Sequence, residues 1–362
     1  MSKLISLDDL SITALCLIRE ELKDLDVTVD CIHGYDRDVL CSKNFLTHFL
    51  KKIHANKLSS DVLLKICSNV SNKYFVNNII VDRKARAERI KGITFLSRSF
   101  KDDMNYVLIK DLKVPYALMS DIDILVNGPI EIVKATRILE KIGCELYNFR
   151  LLAHPFKVMV TGCREGSFQI DLYPYPMWIR RQVASNEEVF QVKASSEMYG
   201  VKVPVPGSPM DFYLIATHAW FHLKLSLAEA LHLFQVSKNL KESEWFYIMK
   251  VAEEWGTLDS IYVTSLILNA LSSSLYGYQV VPEDIMHELE RLYKASNSAK
   301  KWLKSMQRLE FPVRFPAHLA VLNSSIYTFR VLWKKSLRTA IYGVLSIYLN
   351  YSAGKLLGGE ND

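Results

Sequence analysis

Two aspartates lie two residues apart in an apolar stretch of the chain, residues 120–126, which reads Ser-Asp-Ile-Asp-Ile-Leu-Val. Isoleucine and valine favour strands, and alternate side chains of a strand point to the same face, so Asp121 and Asp123 are predicted to share one face. Two neighbouring negative charges on a buried strand raise each other's pKa and destabilise the fold unless a positive charge lies between them. The stretch therefore predicts a site for a divalent metal ion.

A third aspartate, Asp171, lies between Ile170 and Leu172 in a second predicted strand, residues 168–173. If the two strands are neighbours in a sheet, the three carboxylates converge at one end of it. Three carboxylates can hold two magnesium ions when substrate phosphates supply further oxygen ligands, and two such ions promote displacement at phosphorus. In that arrangement Asp171 binds the ion that activates the acceptor and takes the acceptor's proton. Because an Asp-x-Asp pair also occurs by chance on strands, a purely structural role stays open.

The elements that must position these aspartates follow from hydrophobic periodicity and from turn signals. We predict a helical N-terminal region at residues 1–82, a mixed α/β core at 83–205 and an all-helical C-terminal domain at 206–362. Three prolines and a glycine at residues 201–209 mark the second boundary, and a capping box opens a helix at Ser226 with Glu229. The predicted fold class is α+β, with a small mixed sheet and helical additions at both ends.

Composition is that of an ordinary globular protein, with 49% hydrophobic and 23% charged residues. A net charge of +6 is too small for a chain of 362 residues to require a polyanionic partner. We expect a cytoplasmic protein, because no apolar leader and no transmembrane run is visible. Scattered cysteines without a Cys-x-x-Cys motif predict free thiols in a reducing compartment. These cysteines are Cys16, Cys31, Cys41, Cys67, Cys144 and Cys163.

Basic residues are concentrated in a predicted helix at residues 83–100. They are Arg83, Lys84, Arg86, Arg89 and Lys91. We interpret this cluster as a solvated helix face, with a nucleic-acid contact as the alternative. Arg180 and Arg181 are likewise predicted to be a solvated loop pair, with a phosphate or RNA contact as the alternative.

The motifs around the aspartates resemble the DNA polymerase β-like nucleotidyltransferase superfamily. The resemblance covers roughly residues 90–240 and rests on residues 107–110 (Val-Leu-Ile-Lys), 120–126, Ile142-Gly143 at a helix end, and 168–173 (Phe-Gln-Ile-Asp-Leu-Tyr). It is closest to the uncharacterised nucleotidyltransferase family that has a Lys-Gly strand end, an Asp-Ile-Asp strand and a His-x-x-x-His-like motif in a helical tail.

The resemblance implies a nucleotidyltransferase core and a function. Asp121, Asp123 and Asp171 correspond to the catalytic carboxylates that bind two Mg²⁺ ions, or Mn²⁺ in their place. The residues assigned to the nucleotide are Lys110, Ser120, His218 and His222. The implied reaction transfers a nucleoside monophosphate from an NTP such as ATP to an acceptor, which RNA, a protein or a small molecule could supply.

One departure from the family pattern favours a second interpretation. The superfamily normally has a glycine-containing turn after its first strand, where backbone N–H groups bind the triphosphate. Here Lys110 is followed by Asp111, which brings a negative charge to that place. The alternative is a catalytically degenerate module of the same fold that binds nucleotide or RNA, and a helical scaffold with structural aspartates is a third hypothesis. His218 and His222 lack the glutamate of a zinc motif, so a structural histidine pair, or a pair that lines the nucleotide cleft, is favoured over zinc.

Overall fold

The computed structural model describes residues 6–7, 50–51, 53–60, 73–100, 104–114, 117–119, 121–147, 157–178, 181–293, 296–306, 308–309 and 311–315. Ser120, Arg180 and most of the predicted N-terminal helical region lie outside these ranges, as do the residues after 315. In the described part the protein is a mixed α+β structure with a mixed sheet, which confirms the fold class at that level.

The strands are short. They are β1 (Ser6–Leu7), β2 (Tyr106–Leu108), β3 (Asp121–Val126), β4 (Glu145–Tyr147), β5 (Val158–Thr161), β6 (Gln169–Tyr173), β7 (Met177–Trp178), β8 (Arg181–Gln182), β9 (Lys193–Met198), β10 (Val201–Pro206), β11 (Lys224–Leu225), β12 (Arg308–Leu309) and β13 (Val313–Arg314). Five of them form the central sheet in the order β2-β3-β6-β5-β4. The pair β3 and β6 is parallel, and the other neighbours are antiparallel.

Nine helices with assigned bounds accompany the strands in the described ranges. They are α1 (Lys73–Phe100), α2 (Pro129–Lys141), α3 (Asn186–Gln191), α4 (Ser208–Phe221), α5 (Leu227–Asn239), α6 (Glu242–Trp255), α7 (Leu258–Tyr276), α8 (Glu283–Leu292) and α9 (Ser296–Ser305). The predicted capping box is present, because Ser226 accepts a hydrogen bond from the Glu229 backbone while the Glu229 carboxylate accepts one from the Ser226 backbone. The boundary signals around residue 209 likewise precede a real helix, α4.

Strand alternation divides the buried side chains between two hydrophobic cores. Ile122, Ile124 and Val126 of β3 belong to a smaller core with residues of α1 and α2. Leu125 belongs to a larger core that also contains residues of α4 to α9. The face of β3 that carries Asp121 and Asp123 therefore lies on the side of the C-terminal helices.

The described part of residues 206–362 is mainly helical rather than all-helical. Strand β11 pairs with β13, and β12 pairs with β1 near the N-terminus. These two-residue strands have no periodicity of their own to reveal them, so a prediction from pattern alone could not find them. The proposed limits at residues 82 and 205 stay predictions.

A disulfide joins Cys144 to Cys163, so the prediction of free thiols is wrong for these two residues. The reason is tertiary. Strands β4 and β5 are antiparallel with Glu145 opposite Thr161, so Cys144, one residue before β4, and Cys163, two residues after β5, lie at the same end of the strand pair. The other four cysteines lie outside the described residues. Within the described ranges, no helix is long and apolar enough to cross a bilayer.

Candidate metal centre

The three aspartates predicted to form a site converge on one face of the central sheet. In the parallel pairing of β3 with β6, Asp123 lies directly opposite Asp171, and Asp121 lies opposite Gln169. Carboxylate oxygens of Asp121, Asp123 and Asp171 all lie within 4.8 Å of one another. One residue, Ile122, separates the pair on β3, so both aspartates point to the same face, and the strand register places Asp171 beside Asp123 on that face.

Two lysines compensate the negative charge of this cluster. The Lys110 ammonium lies 2.5 Å from Oδ1 of Asp123, and the Lys157 ammonium contacts Oδ2 of Asp171. Gln169 also donates a hydrogen bond of 3.1 Å to Oδ1 of Asp171. Lys110 was predicted to belong to the site, whereas Lys157 was not. Its one signal was its place directly before β5, the strand that pairs with β6.

Lys110 occupies the turn that follows β2 in a left-handed backbone conformation, with φ of 57°. Such a conformation is uncommon for residues other than glycine. The turn is held by the Ile109 backbone N–H, which donates to the Asp123 carbonyl over 2.9 Å. The Lys110 ammonium lies 5.0 Å from the ring centre of Tyr173 and 5.1 Å from that of Trp178. These aromatic rings and Asp123 together fix the ammonium at the acidic face.

Asp111 does not bring an uncompensated charge to the site. Its side chain is buried, and Nη2 of Arg89 donates to its Oδ1 over 2.5 Å. Nη1 of the same guanidinium donates to the backbone carbonyl of Asp121. Arg89 is 5% exposed, so the prediction that it lies on a solvated helix face is wrong. Helix α1 packs this arginine against the start of β3, where it compensates Asp111.

The three carboxyl groups have different proton affinities. Burial, and then the charge of Asp123, raise the pKa of Asp171 to about 6, against the lowering effect of Lys157. Burial also raises the pKa of Asp123. For Asp121, burial is outweighed by the charges of Lys110 and Lys157 and by a hydrogen bond with Asp171, so its pKa lies below the ordinary value. Asp123 and Asp171 therefore have raised pKa values, whereas the pKa of Asp121 is lowered.

The two histidines predicted to contact nucleotide adjoin the site through Trp178. The His218 and His222 rings lie 4.4 Å apart, and the His218 ring lies 5.3 Å from that of Trp178, which also contacts Lys110. Nδ1 of His218 lies 3.5 Å from Oε1 of Glu229. Burial and the neighbouring His222 hold the pKa of His218 well below its usual range, so His218 is neutral at physiological pH.

Glu229, which carries the contact to His218, is itself buried and anchored by Lys57. The Lys57 ammonium lies 2.6 Å from Oε1 of Glu229. Neither residue was a candidate from sequence, since their partners come from distant parts of the chain. Among the described residues, the three aspartates form the single group of His, Cys, Asp and Glu placed to share an ion. In that part of the chain, no third metal ligand therefore accompanies His218 and His222, as a zinc site would need.

Arg181 is a buried structural residue and the solvated-loop prediction is wrong for it. It is 2% exposed, and its Nη2 donates to the carbonyls of Trp255 and Gly256 over 2.6 and 2.8 Å. These carbonyls end helix α6, where acceptors lack partners within the helix. The guanidinium thus satisfies the helix end and does not form part of an exposed phosphate contact.

The acidic cluster fits a hard divalent cation. Its donors are carboxylate oxygens, the ligands that Mg²⁺ prefers, and oxygens bound to one octahedral ion lie about 3 to 4 Å apart. The observed spread of at most 4.8 Å is close to that requirement. Neither a family model nor a curated protein nor a solved structure matches the chain. The side chains of this cluster are therefore the basis for assigning a function.

Proposed function

We propose that this protein is a magnesium-dependent nucleotidyltransferase, which transfers a nucleoside monophosphate from an NTP to an acceptor and releases pyrophosphate. One observation carries the proposal. Asp121, Asp123 and Asp171 meet on one face of a mixed sheet, where Asp123 and Asp171 occupy facing positions of two parallel strands. The sequence motifs that resemble the DNA polymerase β-like superfamily contribute these same residues, and Lys110 lies beside them.

The side chains divide the chemistry among themselves. Asp121 and Asp123 would hold magnesium, with Asp171 as the third ligand, and the bound ions supply Lewis-acid stabilisation of charge on the phosphates. The acceptor oxygen forms a bond to the α-phosphorus while the bond from that phosphorus to the bridging oxygen breaks. The acceptor proton passes to the Asp171 carboxylate, which lies beside the other two carboxylates. Lys110 is placed to neutralise phosphate oxygens.

A second candidate function is favoured by the two lysines. Lys110 and Lys157 already neutralise two of the three carboxylates. A cluster compensated in this way folds without an ion, which suits a catalytically degenerate module that binds nucleotide or RNA. In that case the acidic face is a structural remnant, and Lys110 is a contact for phosphate only.

The two candidates differ in their need for the aspartates. The test is transfer of label from NTPs, with Mg²⁺ or Mn²⁺, to RNA, protein and small-molecule acceptors. We expect transfer by the wild type, no detectable transfer by Asp121→Asn with Asp123→Asn, and unchanged transfer by the surface control Asp284→Asn. Transfer that persists in the double variant would refute the proposal. Calorimetry completes the comparison, because magnesium-dependent NTP binding supports the enzyme and RNA binding indifferent to both aspartates supports the module.

A further inference from the structure

An open pocket lies between helix α1 and the segment that leads into β3. Helix α1 contributes Arg86 and Arg89 to its wall, and the segment that leads into β3 contributes Met119. Tyr199, from the two-residue turn between β9 and β10, also lines the pocket.

The pocket offers hydrogen-bond donors that the protein itself does not use. Arg86 is exposed, and among the described residues neither its guanidinium nor the Tyr199 hydroxyl has a hydrogen-bond partner. A guanidinium presents a planar set of N–H donors that matches the paired oxygens of carboxylate or phosphate. The acid in the wall, Asp111, is compensated by its ion pair with Arg89. The uncompensated charge of the pocket is therefore the positive charge of Arg86.

Arg89 connects this pocket to the proposed metal centre. It lines the pocket, and it also donates to the backbone carbonyl of Asp121, the first residue of β3. Met119 lies two residues before Asp121 in the chain. A molecule bound against Arg86 would thus lie next to the edge of the sheet where the carboxylates converge.

We propose that this pocket binds an oxyanion, a phosphate or carboxylate group, through Arg86 and Tyr199. We further assign that oxyanion to the acceptor substrate, which makes the acceptor an anionic molecule. The assignment to the acceptor rests on the proposed function, whereas oxyanion binding does not.

The first test measures binding of inorganic phosphate and of acetate by calorimetry in the presence of EDTA, so that no divalent ion bridges the carboxylates. We expect saturable binding that Arg86→Ala weakens about tenfold or more, because a charge-assisted pair of hydrogen bonds is lost. Arg86→Lys should be intermediate, since it keeps the charge and loses the planar donors. Lys84→Ala is the matched control, because it removes the same charge from an exposed position on α1 outside the pocket wall.

Equal weakening by Arg86→Ala and Lys84→Ala would overturn the site, since general charge attraction would then explain the binding. The site would also be overturned if neither phosphate nor acetate bound saturably. Tighter binding of phosphate identifies a phosphate site, and comparable binding of acetate identifies a carboxylate site.

The second test concerns the acceptor. Addition of magnesium-ATP should leave phosphate bound, because nucleotide and acceptor occupy different places. Displacement of phosphate by magnesium-ATP would overturn the acceptor assignment and leave both the oxyanion site and the proposed transferase intact. If no nucleoside monophosphate is transferred from any NTP, the proposed function fails. The oxyanion site is still tested separately, by the difference between Arg86→Ala and Lys84→Ala in phosphate binding.

Discussion

The ion pair between Arg89 and Asp111 can be tested by the substitution Asp111→Ala. The two side chains are 5% and 8% exposed, and the closest nitrogen–oxygen distance is 2.5 Å. With charge centres about 4 Å apart and an effective dielectric constant of about 20, their attraction is about 4 kcal/mol. Removal of one partner from a buried pair costs about 3 to 5 kcal/mol, because the other charge stays buried without compensation. Arg89 keeps its bond to the Asp121 carbonyl, so we expect a loss of about 3 to 4 kcal/mol.

Thermal unfolding followed by circular dichroism measures this loss. At about 2 °C for each kcal/mol in a large chain, Tm should fall by roughly 6 to 8 °C. The control is Glu288→Ala, which removes the carboxylate of an exposed pair with Arg291 on α8. It should give no resolvable change in Tm, because exposed pairs contribute little.

An Asp111→Ala variant as stable as the wild type would refute this reasoning. Asp111 would then lack the compensating contact and would face the nucleotide, as the sequence alone suggested. In that event, the substitution should strengthen binding of magnesium-NTP by removal of a repulsive charge. The stability measurement and the binding measurement therefore separate a structural aspartate from one that opposes phosphate.

Three further predictions concern stability away from the three aspartates. Although burial acts in the opposite direction, the Lys57 ammonium lowers the pKa of Glu229; Glu229→Gln should therefore cost about 3 kcal/mol at pH 7. Because the stability due to a lowered pKa is lost as pH falls, that difference should shrink below about pH 4, as urea unfolding at several pH values would show. Arg181→Met should lower the free energy of unfolding by about 2 kcal/mol, because it removes the hydrogen bonds to the carbonyls of Trp255 and Gly256 at the end of α6. The affinity for phosphate, measured by calorimetry, should not change. Reduction of the Cys144–Cys163 bond, which closes a separation of 19 residues, should cost about 3 kcal/mol in a melting experiment, and a Cys163→Ser variant should not respond to the reductant.

Those parts of the fold that follow from local pattern were predictable. Alternation placed Asp121 and Asp123 on one face, and a serine followed by a glutamate three residues later located the start of α5. The proximity of Asp171 to this pair depended on the assumption that β3 and β6 are neighbours in the sheet, and the structure confirms that they are. Whether these residues bind metal or nucleotide stays a prediction.

The contacts that could not be predicted from the sequence have one physical reason in common. Arg89 was interpreted as solvated, and Lys157 was not considered. Their partners lie 22 residues away for Arg89 and 14 residues away for Lys157 along the chain. Arg181 bonds to carbonyls at a helix end more than seventy residues later. Periodicity reports which face of an element is buried, but it does not report which buried charge meets which. Long-range ion pairs and disulfides are therefore set by tertiary packing alone.

The alternation along β3 also bears on how the sheet selects its register. A slip of one residue between strands exchanges the two faces of the slipped strand. For β3, it would turn Asp121 and Asp123 towards the smaller core of α1 and α2, away from Lys110. Each carboxylate buried there without a partner would cost several kcal/mol. The acidic residues thus penalise the misaligned sheet, and the charges that could serve chemistry also guide the strands to one pairing during folding.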